Sequence, residues 1–276
     1  DIVKVQPIGR GCGGEVWKCV NKLQSKGSVL ALKEIPTDCG EDRMKLIAHE
    51  AKVNYRIAHP MIVKCHAVRY VDNCFHLLME YMDAGSLLDL LKAANGRRIP
   101  ELALAHVGKC MLQAIGYLHD ELRVIHRDIK PGNVLLSRDG CVKLGDLGVS
   151  ATVENTSSLS EWVGTVTYMS PERMTGESYS MESDIWSVGL VIAECAMSHY
   201  PYTIEVEDNG AILRKSKDLQ FWDLLDLVIS GPTPAEKIAR ISENSKLVDF
   251  VDKCMERDPD LRPSARKLQS HGFVQR

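Results

Sequence analysis

His126-Arg127-Asp128-Ile129-Lys130-Pro131-Gly132-Asn133 is followed, thirteen residues after Asn133, by Asp146-Leu147-Gly148. A lone His-Arg-Asp would read as a solvated turn. The ordered octapeptide followed by Asp-x-Gly is too specific a combination for that reading. On either side of this stretch the chain has two characters. Val3, Val5 and Ile8 lead into a Gly-rich turn, and Glu15–Val20 and Val29–Ile35 are strand-like. Residues 41–58 have a helical pattern, with Leu46, Val53 and Ile57 predicted on one face. Strand-like sequence resumes up to Met79-Glu80-Tyr81-Met82, and the remainder is mainly helical. Val107, Met111, Ala114 and Leu118 form one stripe. Phe221, Leu224, Leu225 and Val228 form another, which Gly231-Pro232 stops. Two lobes joined near residue 82 are the expected organisation.

With 276 residues the chain can bury a substantial core, and its apolar and charged fractions are those of a soluble globular protein. A net charge of −3 gives no electrostatic case for nucleic acid or an anionic membrane as partner. The nine cysteines are scattered without a Cys-x-x-Cys pair, which argues against a zinc site or a disulfide framework and for a reducing, cytoplasmic compartment. The longest apolar stretch, Val188–Met197, is too short to span a bilayer and contains Glu194, so no membrane insertion is expected. The chain opens directly in strand-like sequence, so no signal peptide is expected, and regulatory segments are expected to flank it.

Gly9-Arg10-Gly11-Cys12-Gly13-Gly14-Glu15-Val16 has the spacing G-x-G-x-x-G-x-V. Glycines let a backbone approach phosphate oxygens with no side chain in the way. A dinucleotide fold uses the same spacing, but there a helix follows the turn, whereas here strand-like sequence lies on both sides. Period-two alternation in Val29-Leu30-Ala31-Leu32-Lys33-Glu34-Ile35 puts Ala31 and Lys33 on one face. Glu50 falls at helical spacing with Leu46, Val53 and Ile57. A carboxylate on an apolar face is costly unless paired, so Lys33–Glu50 is the expected ion pair.

Taken in order, these motifs resemble the catalytic domain of eukaryotic protein kinases over the whole chain. The resemblance extends to Gly164-Thr165-Val166-Thr167-Tyr168-Met169-Ser170-Pro171-Glu172, similar to the kinase substrate-binding loop. It also covers Asp184-Ile185-Trp186-Ser187-Val188-Gly189 and Asp258-Pro259-Asp260-Leu261-Arg262-Pro263, whose Arg262 is the expected partner of Glu172. The implied fold is α+β and bilobal. Residues 1–82 would form a small antiparallel β-sheet lobe with one regulatory helix, and residues 83–276 a larger, mainly helical lobe with an activation segment over 146–172. The implied reaction is transfer of the γ-phosphoryl group of ATP to a protein hydroxyl. Asp128 would orient that hydroxyl and accept its proton, Lys130 would steady the transferred group, and Lys33, held by Glu50, would anchor the phosphates. Asn133 and Asp146 would offer oxygens to Mg²⁺. Ile8, Gly9, Gly11, Gly13 and Gly14 would cover the nucleotide, and Val16, Ala31 and Leu135 would sandwich the base. Met79 would control access behind the adenine, the backbones of Glu80 and Met82 would bond it, and Ser86 would complete the site.

Finer features resemble the MAP kinase kinase family: Gly13-Gly14 in the loop, Val163-Gly164-Thr165 running into Tyr168–Arg173, Met79–Leu87, and the Leu224-Leu225-Asp226 helix before Pro232 and Pro234. That resemblance implies a MAP kinase as substrate, modified on Ser or Thr and on Tyr, and an upstream activating kinase. A MAP kinase kinase kinase, a sterile-20-like kinase and a pseudokinase scaffold remain as alternatives. Leu147 stands where the family usually has Phe, Asn54 where an apolar residue is expected, and Gly145 where Cys is frequent. Ser150–Glu161 reads as a phosphorylation-controlled loop, with Arg127 as the cation for its phosphate. Counting back from Val163-Gly164-Thr165 places the family's two sites on Ser157 and Glu161, with Thr156, Ser158 and Ser160 as further acceptors.

Overall fold

A computed structural model describes residues 2–11, 14–23, 28–37, 41–146, 166–208, 211–215 and 220–275. Two compact units emerge: Asp1–Gly85 with the stretch that starts at Leu135, and Ser86–Val134 with the helical C-terminal part.

In the first unit, β1 (Ile2–Gly11), β2 (Gly14–Asn21), β3 (Ser28–Pro36), β4 (Cys65–Val71) and β5 (Cys74–Glu80) form an antiparallel sheet in the order β1-β2-β3-β5-β4. The Gly-rich stretch therefore sits in a hairpin between paired strands, with Gly9 opposite Val16 and Gly11 opposite Gly14. That excludes the strand-turn-helix alternative. Gly14 has φ 129°, and a Cβ there would meet the Glu34 carbonyl oxygen at 1.7 Å, so only glycine fits. α1 (Glu41–Arg56) covers β4 and β5. Ile47 and Ala51 pack with Ile35, Cys65, Phe75 and Leu77, and Met44 packs at their edge.

Ile47 and Ala51 are the buried residues of α1 among the described side chains. Val53 is only half-buried, Ile57 is buried beyond the helix end, and the side chains of Leu46 and Glu50 lie outside the described residues. Asn54 is half-buried. β6 (Val134–Leu136) and β7 (Val142–Leu144) form a two-stranded ribbon.

The second unit is built on α3 (Glu101–Asp120) and α5 (Glu182–Met197). Every α5 residue from Ser183 to Ala196 is buried, as befits a helix enclosed on all sides. The predicted α3 stripe of Val107, Met111, Ala114 and Leu118 is entirely buried. α2 (Leu87–Ala94), α4 (Pro171–Met174), α6 (Phe221–Ser230), α7 (Pro234–Ala239), α8 (Ser245–Cys254) and α9 (Ala265–Gln269) complete it. α6 buries Leu224 and Val228 and is capped at Gly231, as its sequence predicts. The hairpin of β8 (Ile204–Asp208) and β9 (Ala211–Lys215) was not expected from the sequence, although Asn209-Gly210 between short alternating segments is a hairpin signal.

Candidate active site

In the first unit, β3 is the central strand, so Lys33 is not an edge lysine: it stands opposite Val16 on β2 and Leu77 on β5. Its neighbour on the same face, Ala31, is buried and stands opposite Met79. Lys33 Nζ bonds to Asp146 Oδ1. Asp146 has φ 45°, a left-handed conformation that Asp tolerates better than most residues. Lys33 and Asp146, 113 residues apart, are thus brought together.

Glu80 ends β5. Its N–H donates to Lys64 O at 2.9 Å, so any backbone bond from Glu80 to a base rests on its carbonyl. Its carboxylate accepts two bonds from Lys143 Nζ on β7, at 2.6 and 2.8 Å, tying the end of β5 to the ribbon. Met82 is buried, while Val16, Met79 and Leu135 are half-buried. A Cβ at Gly145 would press on Leu135 Cδ1 at 3.1 Å, so glycine at this position spares Leu135 a tight contact. Ile8 and Gly9 are exposed on β1. Gly13 lies outside the described residues.

In the second unit, Asp128 is the hub of the His126–Asn133 segment. Lys130 Nζ donates to both its carboxylate oxygens, at 2.9 and 2.7 Å. Asn133 Nδ2 donates to Asp128 Oδ2 at 2.9 Å and to Asp128 O at 2.7 Å. Pro131–Asn133 form a 3-10 turn that curls Asn133 back onto Asp128. The segment hangs from α5: Asp184 accepts from His126 N at 2.8 Å and from Arg127 N at 2.9 Å, and its Oδ2 lies 2.8 Å from His119 Nε2. Burial alone would raise the Asp184 pKa, but the bonds and charges of His119 and His126 hold it below the usual carboxylate range.

Arg127 has φ 69°, and its carbonyl accepts from Arg173 Nη1 at 2.9 Å. Both guanidinium groups lie over the Tyr179 ring, at 5.3 and 5.2 Å from its centroid. Arg127 Nε and Nη1 are buried and have no hydrogen-bond partner among the described residues. Ser86 is the N-cap of α2: its hydroxyl accepts from Asp89 N at 3.2 Å and donates to Asp89 Oδ2 at 2.6 Å, so its polar capacity is largely spent on capping. Arg262 forms the expected pair with Glu172, at 3.0 and 3.2 Å through two nitrogens, with both side chains buried. Leu147, Thr156, Ser157, Ser158, Ser160 and Glu161 lie outside the described residues.

Residues 2–274 match the protein kinase domain family. Mitogen-activated protein kinase kinase 1 of Arabidopsis thaliana is 37% identical over 275 residues, covering 99% of this chain and 74% of the relative. Mitogen-activated protein kinase kinase SIPKK of Nicotiana tabacum is 37% identical, covering 99% of this chain and 73% of the relative. The dual specificity mitogen-activated protein kinase kinase dSOR1 of Drosophila melanogaster is 35% identical, covering 100% of this chain and 71% of the relative. The chain belongs to the protein kinases, in their MAP kinase kinase branch.

Sequence reasoning did not find the parts of the kinase that position its reactive groups. Lys143 carried no motif signal in Val142-Lys143-Leu144. Arg173 was noted only as the end of a family-like stretch, and Tyr179 carried no signal. Asp184 was read as a member of a buried helix, and nothing local tied it to His126 and Arg127. No helix among the described residues is long and apolar enough to cross a membrane, and no disulfide joins the described cysteines.

Proposed function

We propose that this kinase phosphorylates Ser or Thr and Tyr hydroxyls in the activation loop of a MAP kinase, and is itself switched on by an upstream kinase. The names of its relatives support the substrate class. The observation that carries the chemistry is the Asp128 carboxylate held between Lys130 and Asn133. A carboxylate fixed in this way can orient an acceptor hydroxyl and take its proton as the oxygen bonds to phosphorus and the bond from phosphorus to the leaving ADP oxygen breaks. Lys130, already beside Asp128, carries the positive charge that the transferred group meets.

Mg²⁺ suits the donors available. Asn133 commits its amide nitrogen to Asp128, which leaves its oxygen for a cation, and Asp146 offers a half-exposed carboxylate. When bound, the ion would neutralise phosphate charge. No cluster of three or more His, Cys, Asp or Glu able to hold a metal occurs among the described residues. Lys33 anchors the phosphates, and its bond to Asp146 aligns the two charges. Ala31, Val16 and Leu135 contact the base, and Met82 and the Glu80 carbonyl bond its edge.

The buried, unpartnered Nε and Nη1 of Arg127 support its role as the dock for a phosphate on Ser157, with Ser158, Ser160 or Thr156 as the other acceptors. Scattered cysteines favour a cytoplasmic setting. The test uses labelled ATP and catalytically inactivated MAP kinases as acceptors, before and after treatment with an upstream kinase. Label on both the Thr and the Tyr of one MAP kinase, with activation lost in Ser157→Ala but kept in Ser160→Ala, is the expected result. Label confined to unrelated proteins refutes the substrate class.

A further inference from the structure

After Glu80 the chain leaves β5, and residues 81–85 form no regular strand or helix. A link of this kind is ordinarily among the more mobile parts of a fold. Here it is tied down along its length. At its start Glu80 N–H donates to Lys64 O at 2.9 Å, and Lys64 N–H donates back to Glu80 Oε2 at 3.3 Å. Lys143 Nζ donates to both oxygens of the same carboxylate, at 2.6 and 2.8 Å. Further on, Asp83 Oδ1 accepts from Arg138 N at 2.8 Å. Ala84 N donates to Leu136 O at 3.0 Å, and Leu136 N to Gly85 O at 2.8 Å. Lys143, Arg138 and Leu136 all belong to the ribbon of β6 and β7 and its turn.

The ribbon does not need Lys143 in order to hold. Val142 and Leu144 on either side of it are buried, and Leu144 exchanges backbone bonds with Met61 and Val63. Strand alternation turns Lys143 the other way. Its side chain keeps 17% of its exposure and that of Glu80 keeps 30%. An ion pair that retains this much solvent adds little to stability. What it adds is geometry. Both Glu80 oxygens are spent, on Lys143 and on Lys64, so the end of β5 is held in one arrangement. The same ribbon carries Leu135, read as a face of the base site, and ends at Leu144, two residues before Asp146.

We propose that Lys143 is a positioning residue for the nucleotide base: through the Glu80 carboxylate it fixes the link whose Glu80 carbonyl and Met82 meet the adenine edge. The inference rests on the reading of Glu80 and Met82 as the base site. Lys143 Nζ is spent on Glu80 and acts only through it. Its loss therefore weakens the adenine end of the nucleotide and leaves the phosphate end to Lys33.

The test is displacement of a fluorescent nucleotide, mant-ADP, by ADP and by adenosine, which has the base and sugar but no phosphate. Lys143→Met, Lys143→Arg, Lys33→Met and Lys143→Met/Glu80→Ala are compared with wild type, and melting temperature is read on the same preparations. Lys143→Met should weaken ADP and adenosine by the same factor, about tenfold, the loss of a hydrogen bond between charged groups. Lys143→Arg keeps a cation for Glu80 and should remain within about threefold of wild type. Lys33→Met should weaken ADP and leave adenosine alone. Adding Glu80→Ala to Lys143→Met should cost no more than the worse single change, because both act through one contact. Unchanged adenosine affinity in Lys143→Met overturns the inference, and so does a loss confined to ADP, which would place Lys143 at the phosphates. An Arg variant as weak as Met, or losses from Glu80→Ala and Lys143→Met that multiply, overturns the route through Glu80. Affinity that falls only in step with melting temperature marks a merely structural role and overturns it too. Wild-type protein from which adenosine displaces no mant-ADP refutes the base-site reading itself, and the inference with it. No protein acceptor enters the assay, so the substrate class and this inference stand or fall separately.

Discussion

Asp128→Asn should separate chemistry from folding. The Asp128 carboxylate accepts from Lys130 through both oxygens, at 2.9 and 2.7 Å, and from Asn133 Nδ2 at 2.9 Å. An amide in its place keeps one oxygen for these donors, turns an NH₂ toward the others, and cannot take a proton. A positioned base contributes about 10²–10⁴ in rate, or roughly 3–5 kcal/mol of transition-state free energy. The stability change is far smaller. The Lys130 and Asp128 side chains retain 32% and 27% of their exposure, so loss of the pair costs at most about 1 kcal/mol. That corresponds to a melting shift of roughly 2–4 °C. The assay is initial rates on a MAP kinase acceptor at saturating ATP, with nucleotide affinity and thermal melting measured on the same preparation. A kcat above about a tenth of wild type would remove Asp128 from the role of proton acceptor. A melting shift above about 8 °C would show that the variant loses activity by unfolding.

Lys33→Met removes a charge-stabilising donor and the partner of Asp146, and should lower kcat/KM by roughly 3–4 kcal/mol; wild-type turnover would contradict the phosphate-anchor role. Arg262→Met strands the buried Glu172 carboxylate. It should cost about 3–5 kcal/mol and lower the melting temperature by roughly 6–20 °C, and part of this should return in Arg262→Met/Glu172→Leu. A loss under about 1 kcal/mol would mean that the pair is not needed for stability. The pH dependence has two limbs. Burial would raise the Glu172 pKa, but Arg262 and other partners hold it below the ordinary value, as His119 does for Asp184. Their stabilisation is complete above the unfolded carboxylate values and is lost as pH falls through the depressed folded ones. Glu194 is raised, so its contribution is complete below the unfolded value and fades as pH rises through the folded one. Denaturant melts from about pH 3 to about pH 8 should therefore show Glu194→Gln flattening the upper limb and leaving the acid limb unchanged. An altered acid limb would contradict these directions.

What the sequence by itself determined is whatever is encoded over short distances. Asp128, Lys130 and Asn133 lie within six residues and were assigned to one site by the resemblance of their motif; the fold joins their side chains. Alternation in β3 put Ala31 and Lys33 on one face, and strand-like sequence on both sides of the glycines excluded a following helix. The Glu172–Arg262 pair spans 90 residues, and it was legible only because both ends sit in motifs that resemble kinases. Only the tertiary structure decided the rest. Asp184 holds the backbone of Arg127 from 57 residues away, Lys143 reaches Glu80 across 63, and Glu194 takes the Tyr168 hydroxyl across 26. None of these residues stands at a periodic offset from its partner, and an acid inside an apolar helix shows a cost without showing what offsets it. The packing of Ile47 and Ala51 of α1 against Cys65, Phe75 and Leu77 was likewise decided by the sheet surface, which no local pattern in α1 records.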